Sequence, residues 1–509
     1  MKLQDYIVGA LTLPVLAPIA VFRGLFGLSR YLWKKGAYSS LPQVEGYFPI
    51  ATLFEPGKME DILDKLRRDD GSYPDMFSFG FYYHGDCSIA VTNPALLREI
   101  FTHDSDFPKI PESNGLLEVF VGKGLVNTEG ALWKHDRKLL TPVFHFDALT
   151  HGVPKIVKVC LKKYEELEAA VKKADSDCGK GCHVLGPVGL FSDMTLRVII
   201  AYAFGDHMPA DDMQKAFHEM LQPLDEFFAF YMLVGSLSLQ LPLTASAITR
   251  RAKAVISKMV EERVLEALAR RDRGEKAFDD NNLLETIIQN GEKGMEKETV
   301  EKAVAQGLTF LFAGHDTTSN LLSFALDYLS RPEYRHYQEE IRQEAMAVFG
   351  DLHGFEHADR SAAQKLVLCE RVLEETLRLA PPAPFIERMV KKDMKLGNVE
   401  IKAGTAVLPL FYCTHRDSRF WKDPDTFNPH RFSDEQSVGR KNFSFVPFSA
   451  GGRNCIGQKL SLLEAKLILS SLLMKFEVVS VQDGPPPRGF TFTMSPLKFE
   501  VGLRLRSEQ

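Results

Sequence analysis

Cys455 is the residue around which the chemistry of this sequence gathers. It lies in Phe448-Ser-Ala-Gly-Gly-Arg-Asn-Cys-Ile-Gly457, a glycine-rich loop leading into an apolar helical pattern over 460–476. Gly451, Gly452 and Gly457 allow a tight turn and a close approach of backbone to a flat ligand. A thiol at a helix start meets the dipole and the free N–H groups there, and both favour its anion. Arg453, two residues earlier, adds positive charge. A thiolate held this way is a soft axial ligand for a metal carried in a flat macrocycle.

A second cluster sits midway along a helix-periodic stretch, 299–330. The stretch stops before Pro332, because the residue preceding a proline is pushed out of the α region. At about 1.5 Å per residue it runs roughly 48 Å, enough to cross a whole domain. Its centre reads Ala313-Gly314-His315-Asp316-Thr317-Thr318. Ala313 and Gly314 are small enough for a planar cofactor to lie against the helix. Asp and Thr are poor helix formers, so an acid beside a threonine asks for a local reason. A hydroxyl bonding back to the carbonyl four residues earlier suits Thr318 but does not account for the hexapeptide. Two other helical stretches carry paired residues on one face: Trp133 and Arg137 within 129–140, and Glu375 and Arg378 within 365–379. The second is followed by Leu379-Ala-Pro-Pro-Ala-Pro384, Arg388, and later Pro429-His-Arg-Phe432.

These residues must be positioned by a large domain. The 509 residues are 45% hydrophobic and 25% charged, an ordinary globular balance. Length alone suggests about three domains, but no Gly-, Ser- or Pro-rich linker and no repeat divides the chain. One catalytic domain over 36–509 behind an anchor at 1–35 suits the pattern. The net charge of −5 leaves no electrostatic footprint for nucleic acid. Seven cysteines without framework spacing point to a reducing compartment. Cys178, Cys182 and His183 lack a second zinc half-site and read as a solvated loop.

Residues 7–22 are almost continuously apolar. They would span about 24 Å, short of a ~30 Å hydrocarbon core; continuing to Trp33 supplies the length. Arg23, Arg30, Lys34 and Lys35 follow the run, against Lys2 before it, which puts the remainder in the cytosol. Two strands are predicted over 77–92 around a turn at 83–86. Helices are predicted over 94–102, 191–205 and 250–280, and a strand pair closes the chain within 485–505. Residues 221–243 are rich in Phe and read equally as core packing and as the roof of an apolar channel touching the membrane.

The Cys455 loop resembles the haem-binding loop of the cytochrome P-450 family, Phe-x-x-Gly-x-Arg-x-Cys-x-Gly, met at Phe448, Gly451, Arg453, Cys455 and Gly457. Three more motifs follow in the family's order across roughly residues 40–505. The resemblance implies a mainly α fold with a minor β region, binding haem b. Cys455 would be the thiolate ligand that pushes electron density toward O–O cleavage. Trp133, Arg137 and Arg388 would meet the propionates. Thr317 would hydrogen-bond the bound oxygen, with Asp316 relaying protons. Glu375 and Arg378 would form a buried cluster with Arg431, His430 standing where the family has Glu. Ala313 stands where some fatty-acid ω-hydroxylases carry a Glu that esterifies the haem, so covalent attachment is not expected.

The activity implied is monooxygenation of a lipophilic fatty acid, sterol or terpenoid by O2 at the endoplasmic reticulum membrane, on its cytosolic side. Electrons would come from NADPH through a membrane-bound cytochrome P-450 reductase, with cytochrome b5 as a second donor. Lys134, Lys138, Lys441 and Lys459 would gather at its docking face. Three alternatives stand beside this. A family member that rearranges hydroperoxides usually lacks the acid–threonine pair. A haem-based sensor or carrier would not turn over NADPH. A non-haem membrane scaffold would purify colourless.

Overall fold

The computed structural model describes residues 38–506 except 49–56, 82–85, 179–181, 206–207, 222–243, 276–281, 292–293, 439 and 491. The anchor expected at 1–35 and nearly all of the 221–243 stretch lie outside the described residues.

The helix Glu296–Ser330 runs through the core, and every residue from Thr318 to Ser330 is buried. It begins a turn before the predicted start, with Glu296 and Glu298 at its positive end. It ends where predicted: Arg331, ahead of Pro332, is extended at φ −71°, ψ 140°. Its main partner is Pro187–Phe204, which opens on a proline and closes on Gly205 at φ +83°. Two glycines on the central helix set how near the pair lie. A Cβ on Gly307 would stand 2.8 Å from the Phe204 ring, and one on Gly314 would stand 2.9 Å from Ile199. Pro187–Phe204 is the one described helix with the length and hydropathy of a membrane span. It is 61% buried inside the protein, so its apolar composition serves the core.

The helices Val367–Leu379 and Gln458–Lys475 pack against the central helix and against each other. The charged helix read over 250–280 is Thr244–Asp272, stopped by Gly274 at φ +75°.

The β structure is minor, as expected, and includes a separate pair, β6 (Met394–Leu396) with β7 (Val399–Ile401). A five-stranded sheet has the order β1 (Gln43–Phe48), β2 (Met76–Phe81), β3 (Asp86–Val91), β8 (Ala406–Pro409), β5 (Arg388–Met389). β2 and β3 form the predicted antiparallel pair, with Phe77 opposite Ala90. β5 is an edge strand of two residues, with Arg388 opposite Val407. The C-terminal prediction needs correcting, because the region serves two sheets. β10 (Arg488–Phe490) and β11 (Met494–Pro496) form a hairpin, whereas β12 (Val501–Leu505) lies between β9 (Phe476–Ser480) and β4 (His183–Leu185). The hairpin is held to the segment after the Glu375 helix by the Met494 N–H on the Pro382 carbonyl, 2.8 Å.

Candidate active site

Backbone geometry builds the cysteine loop. Gly451 has φ +71°, and a Cβ there would stand 2.2 Å from the carbonyl oxygen of Phe101, on helix Pro94–Thr102. A side chain is excluded on both counts. The Cys455 N–H donates to the Phe448 carbonyl at 2.9 Å and closes the loop, while the Phe448 ring packs on the main core. Gly457 is not strained, at φ −85°. A Cβ there would lie 3.9 Å from Sγ of Cys455, an ordinary contact, so neither backbone angle nor crowding demands a glycine at this position.

Cys455 is accessible yet closely surrounded, the combination found on the floor of a hollow. Burial pushes its thiol up. The Gly457 N–H, the Arg137 guanidinium and the Gln458 N–H pull the other way without winning. The N–H groups favour the anion, as the sequence reading held, but against burial they do not by themselves make it. A metal on the sulfur would, because coordination deprotonates a thiol outright.

The charge felt by the sulfur is also not Arg453's. That guanidinium lies over the ring of buried Trp133 at 3.8 Å, donates to the Thr128 carbonyl at 2.9 Å and pairs with Glu129 at 3.5 Å. Arg137 is tied to the loop instead, donating to the carbonyl and the side-chain oxygen of Asn454 at 2.7 and 2.8 Å. Trp133 and Arg137, read from sequence as one pair, thus brace the loop from two sides.

Three cations collect nearby. Arg388 on β5 and Lys109 come together because the Met389 N–H donates to the Pro108 carbonyl at 2.8 Å. Burial pushes Lys109 down to about 7, helped by Arg453 and Arg388. Burial, then Arg453, pushes Arg388 down to about 10. Among the described residues Arg388 has no carboxylate partner; its guanidinium donates to the Glu387 carbonyl at 2.8 Å. A soft sulfur at one end and a half-buried excess of positive charge at the other fit a haem, with its iron and its two carboxylates. Sequence reasoning missed Lys109, whose only signal is proximity in space.

The central helix holds the rest. Thr317 donates to the Ala313 carbonyl at 3.0 Å, and Thr318 to that of Gly314 at 3.3 Å, so back-bonding holds for both threonines. Gly314 faces Ile199 of the neighbouring helix. Its small size serves the packing of the two helices. Ala313 is partly exposed, as is Asp316, whose carboxylate accepts the Thr493 hydroxyl from the β10–β11 turn.

The Glu375 cluster is assembled as expected. Arg378 donates Nε and Nη2 to Glu375 at 2.7 and 2.9 Å, and Arg431 donates Nε at 2.9 Å. Glu375 and Arg378 are fully buried. The guanidiniums also gather the carbonyls of His415, Pro424, Thr426 and Lys422. His415, unremarked in the sequence, carries the cluster forward: its Nε2 accepts the Val446 N–H at 3.0 Å, at the entry to the cysteine loop.

That bond requires a neutral ring. Burial, then Arg378 and Arg416, depresses His415 from 6.5 to about 3. A histidine depressed on folding contributes stability that is complete above its unfolded pKa and is lost as pH falls below it. Between pH 6.5 and 5 the loss is up to about 2 kcal/mol, at about 1.4 per pH unit. The thermal midpoint should fall across that interval, and His415→Gln should flatten the fall. An equal slope in the variant would contradict this.

The sequence pattern described as Cytochrome P450 matches residues 51–503. Similar proteins include Cytochrome P450 72A15 of Arabidopsis thaliana, 32% identical over 76% of this chain and 74% of that one. Cytochrome P450 4F2 of Homo sapiens is 29% identical over 82% and 81%, and 11-oxo-beta-amyrin 30-oxidase of Glycyrrhiza uralensis is 28% identical over 76% and 73%. The fold matches the crystal structure of the cytochrome P450DA heme domain, with TM-score 0.73 at 21% identity over 92% of this chain and 96% of that one. With an accessible cysteine in a braced loop, cations placed for an anionic cofactor and a match across nearly the whole chain, this protein belongs to the cytochrome P450 family of haem b monooxygenases, which use O2, a small-molecule substrate and a redox partner.

Proposed function

We propose that this monooxygenase inserts one oxygen atom into a lipophilic molecule of the fatty acid, sterol or terpenoid class. Electrons come from NADPH through a membrane-bound cytochrome P-450 reductase, with cytochrome b5 as a second donor. One observation carries the substrate class. An aromatic group spans the helix Pro111–Val121, the residue before Ala313 and the β10–β11 turn. Phe492 lies 6.2 Å from Phe120 and 5.4 Å from Phe312, and Phe490 lies 5.0 Å from Phe385. Phe120 is wholly buried, while Phe312, Phe385, Phe490 and Phe492 are partly exposed and offer apolar surface with no fixed charge. By its name, the Glycyrrhiza relative oxidises an amyrin derivative, which is consistent with that class. Residues 1–35 act as anchor in the endoplasmic reticulum membrane, with 36–509 facing the cytosol. The exposed Lys134, Lys138, Lys441 and Lys459 face the reductase.

Cys455 would hold the iron, aided by Phe448, Gly451 and Gly457 through the loop. Arg388, Arg453 and Lys109 would meet the carboxylates together with Trp133 and Arg137, which also brace the thiolate side, and Ala313 and Gly314 would leave room for the group beside the central helix. When bound, haem supplies oxygen activation and transfer. Thr317 supplies a hydroxyl that both donates and accepts, and Asp316 brings protons to it. Thr317 must first leave the Ala313 carbonyl. Thr317→Ala should keep haem and ligand binding while product per NADPH falls by up to about 100-fold and hydrogen peroxide rises. An unchanged ratio would remove Thr317 from the relay. The substrate class is tested by titrating fatty acids, sterols and triterpenes against the ferric protein. A blue-shifted Soret band is expected with members of this panel, and a shift given only by charged, water-soluble compounds would overturn the class.

A further inference from the structure

Asp316 is engaged with the hairpin rather than with its neighbour. Its Oδ2 accepts the Thr493 hydroxyl, and Thr493 Oγ1 accepts Nδ2 of Asn320 at 3.0 Å. Asn320 lies one helical turn beyond Asp316, so a single turn of the central helix grips Thr493 from two positions. Among the described residues no hydrogen bond joins Asp316 to Thr317, whose hydroxyl is spent on Ala313. The residue beside Thr493 is Phe492, packed on Phe312 and Phe120. One short turn therefore carries both an aromatic contact of the apolar group and the hydroxyl that holds the acid.

We infer that Thr493 is a positioning residue for Asp316: its hydroxyl latches the carboxylate to the turn, away from Thr317, until an apolar molecule pressing on Phe492 moves the turn and frees the acid. The inference rests on the relay reading of Asp316 given above. The latch makes proton supply conditional on a filled pocket. With the pocket empty it limits the wasteful reaction NADPH + H⁺ + O2 → NADP⁺ + H2O2, in which two electrons reduce oxygen to free peroxide and no substrate is altered.

The test uses the full-length holoenzyme with a microsomal reductase and no added substrate. Thr493→Val removes the hydroxyl at nearly constant shape and should raise NADPH oxidation and peroxide release at least threefold. Thr493→Ser keeps the hydroxyl and should stay near wild type. Adding Asp316→Asn to Thr493→Val should cancel the rise. Amide hydrogen exchange supplies a readout independent of turnover: exchange over 488–496 should quicken in Thr493→Val and in wild type given an apolar ligand, and should stay slow in Thr493→Ser. If Asp316→Asn alters product yield per NADPH but Thr493→Val matches wild type in both oxidation and exchange, the latch is wrong and the relay stands. If Asp316→Asn itself leaves that yield unchanged, the relay reading fails and the latch fails with it.

Discussion

Replacing Cys455 by histidine is expected to abolish the red-shifted Soret band of the ferrous–CO complex and to cost more activity than the 10–100-fold typical of changes behind a metal ligand. The argument rests on access as well as motif. Cys160, Cys369 and Cys413 are fully buried, with thiols pushed up by burial, that of Cys160 to about 12. Cys455 combines accessibility with two N–H groups at its sulfur and the nearby positive charge of Arg137. Histidine can still bind iron, so haem content should survive while the thiolate signature disappears. A red-shifted band in the variant would place the ligand elsewhere.

Removing the carboxylate of Glu375 should have the largest effect on folding. Glu375→Ala leaves two guanidiniums facing each other without an anion, and Arg378 is wholly buried. Breaking a buried pair by deleting one partner costs about 3–5 kcal/mol. A domain of ordinary stability has about 5–15 kcal/mol to lose. Little holoprotein should accumulate, and Glu375→Gln should recover part of it by keeping an acceptor. Normal haem content with lost turnover would instead give Glu375 a chemical role.

Much of this arrangement was legible in the sequence where local spacing determines contact. Glu375 and Arg378 are three apart on a helix and had to meet, and the proline after Arg331 had to end the central helix. Gly451 could be read as a turn residue, although the Phe101 carbonyl that demands it could not. What failed to show was long-range. Lys109, His415 and Thr493 act through partners 279, 31 and 177 positions away, namely Arg388, Val446 and Asp316, and no periodicity encodes such pairs. Gly314 carries a related ambiguity. A small residue signals that something lies close, and sequence alone does not say whether that is a cofactor or Ile199. The N–H groups that favour the Cys455 anion are legible as a helix start, whereas the opposing cost of burial is not.

The threefold bracing of the cysteine loop bears on electron arrival. The loop is pinned to the Trp133 helix by Arg137 on Asn454, to helix Pro94–Thr102 by the contact of Gly451 with Phe101, and to the Glu375 cluster through His415 and Val446. With Cys455 as the proposed metal ligand, a loop fixed from three directions would hold the sulfur still through a change of oxidation state. The reorganisation energy for reduction would then be small, and driving force and distance, rather than rearrangement of the protein around each electron, would govern the rate of electron transfer.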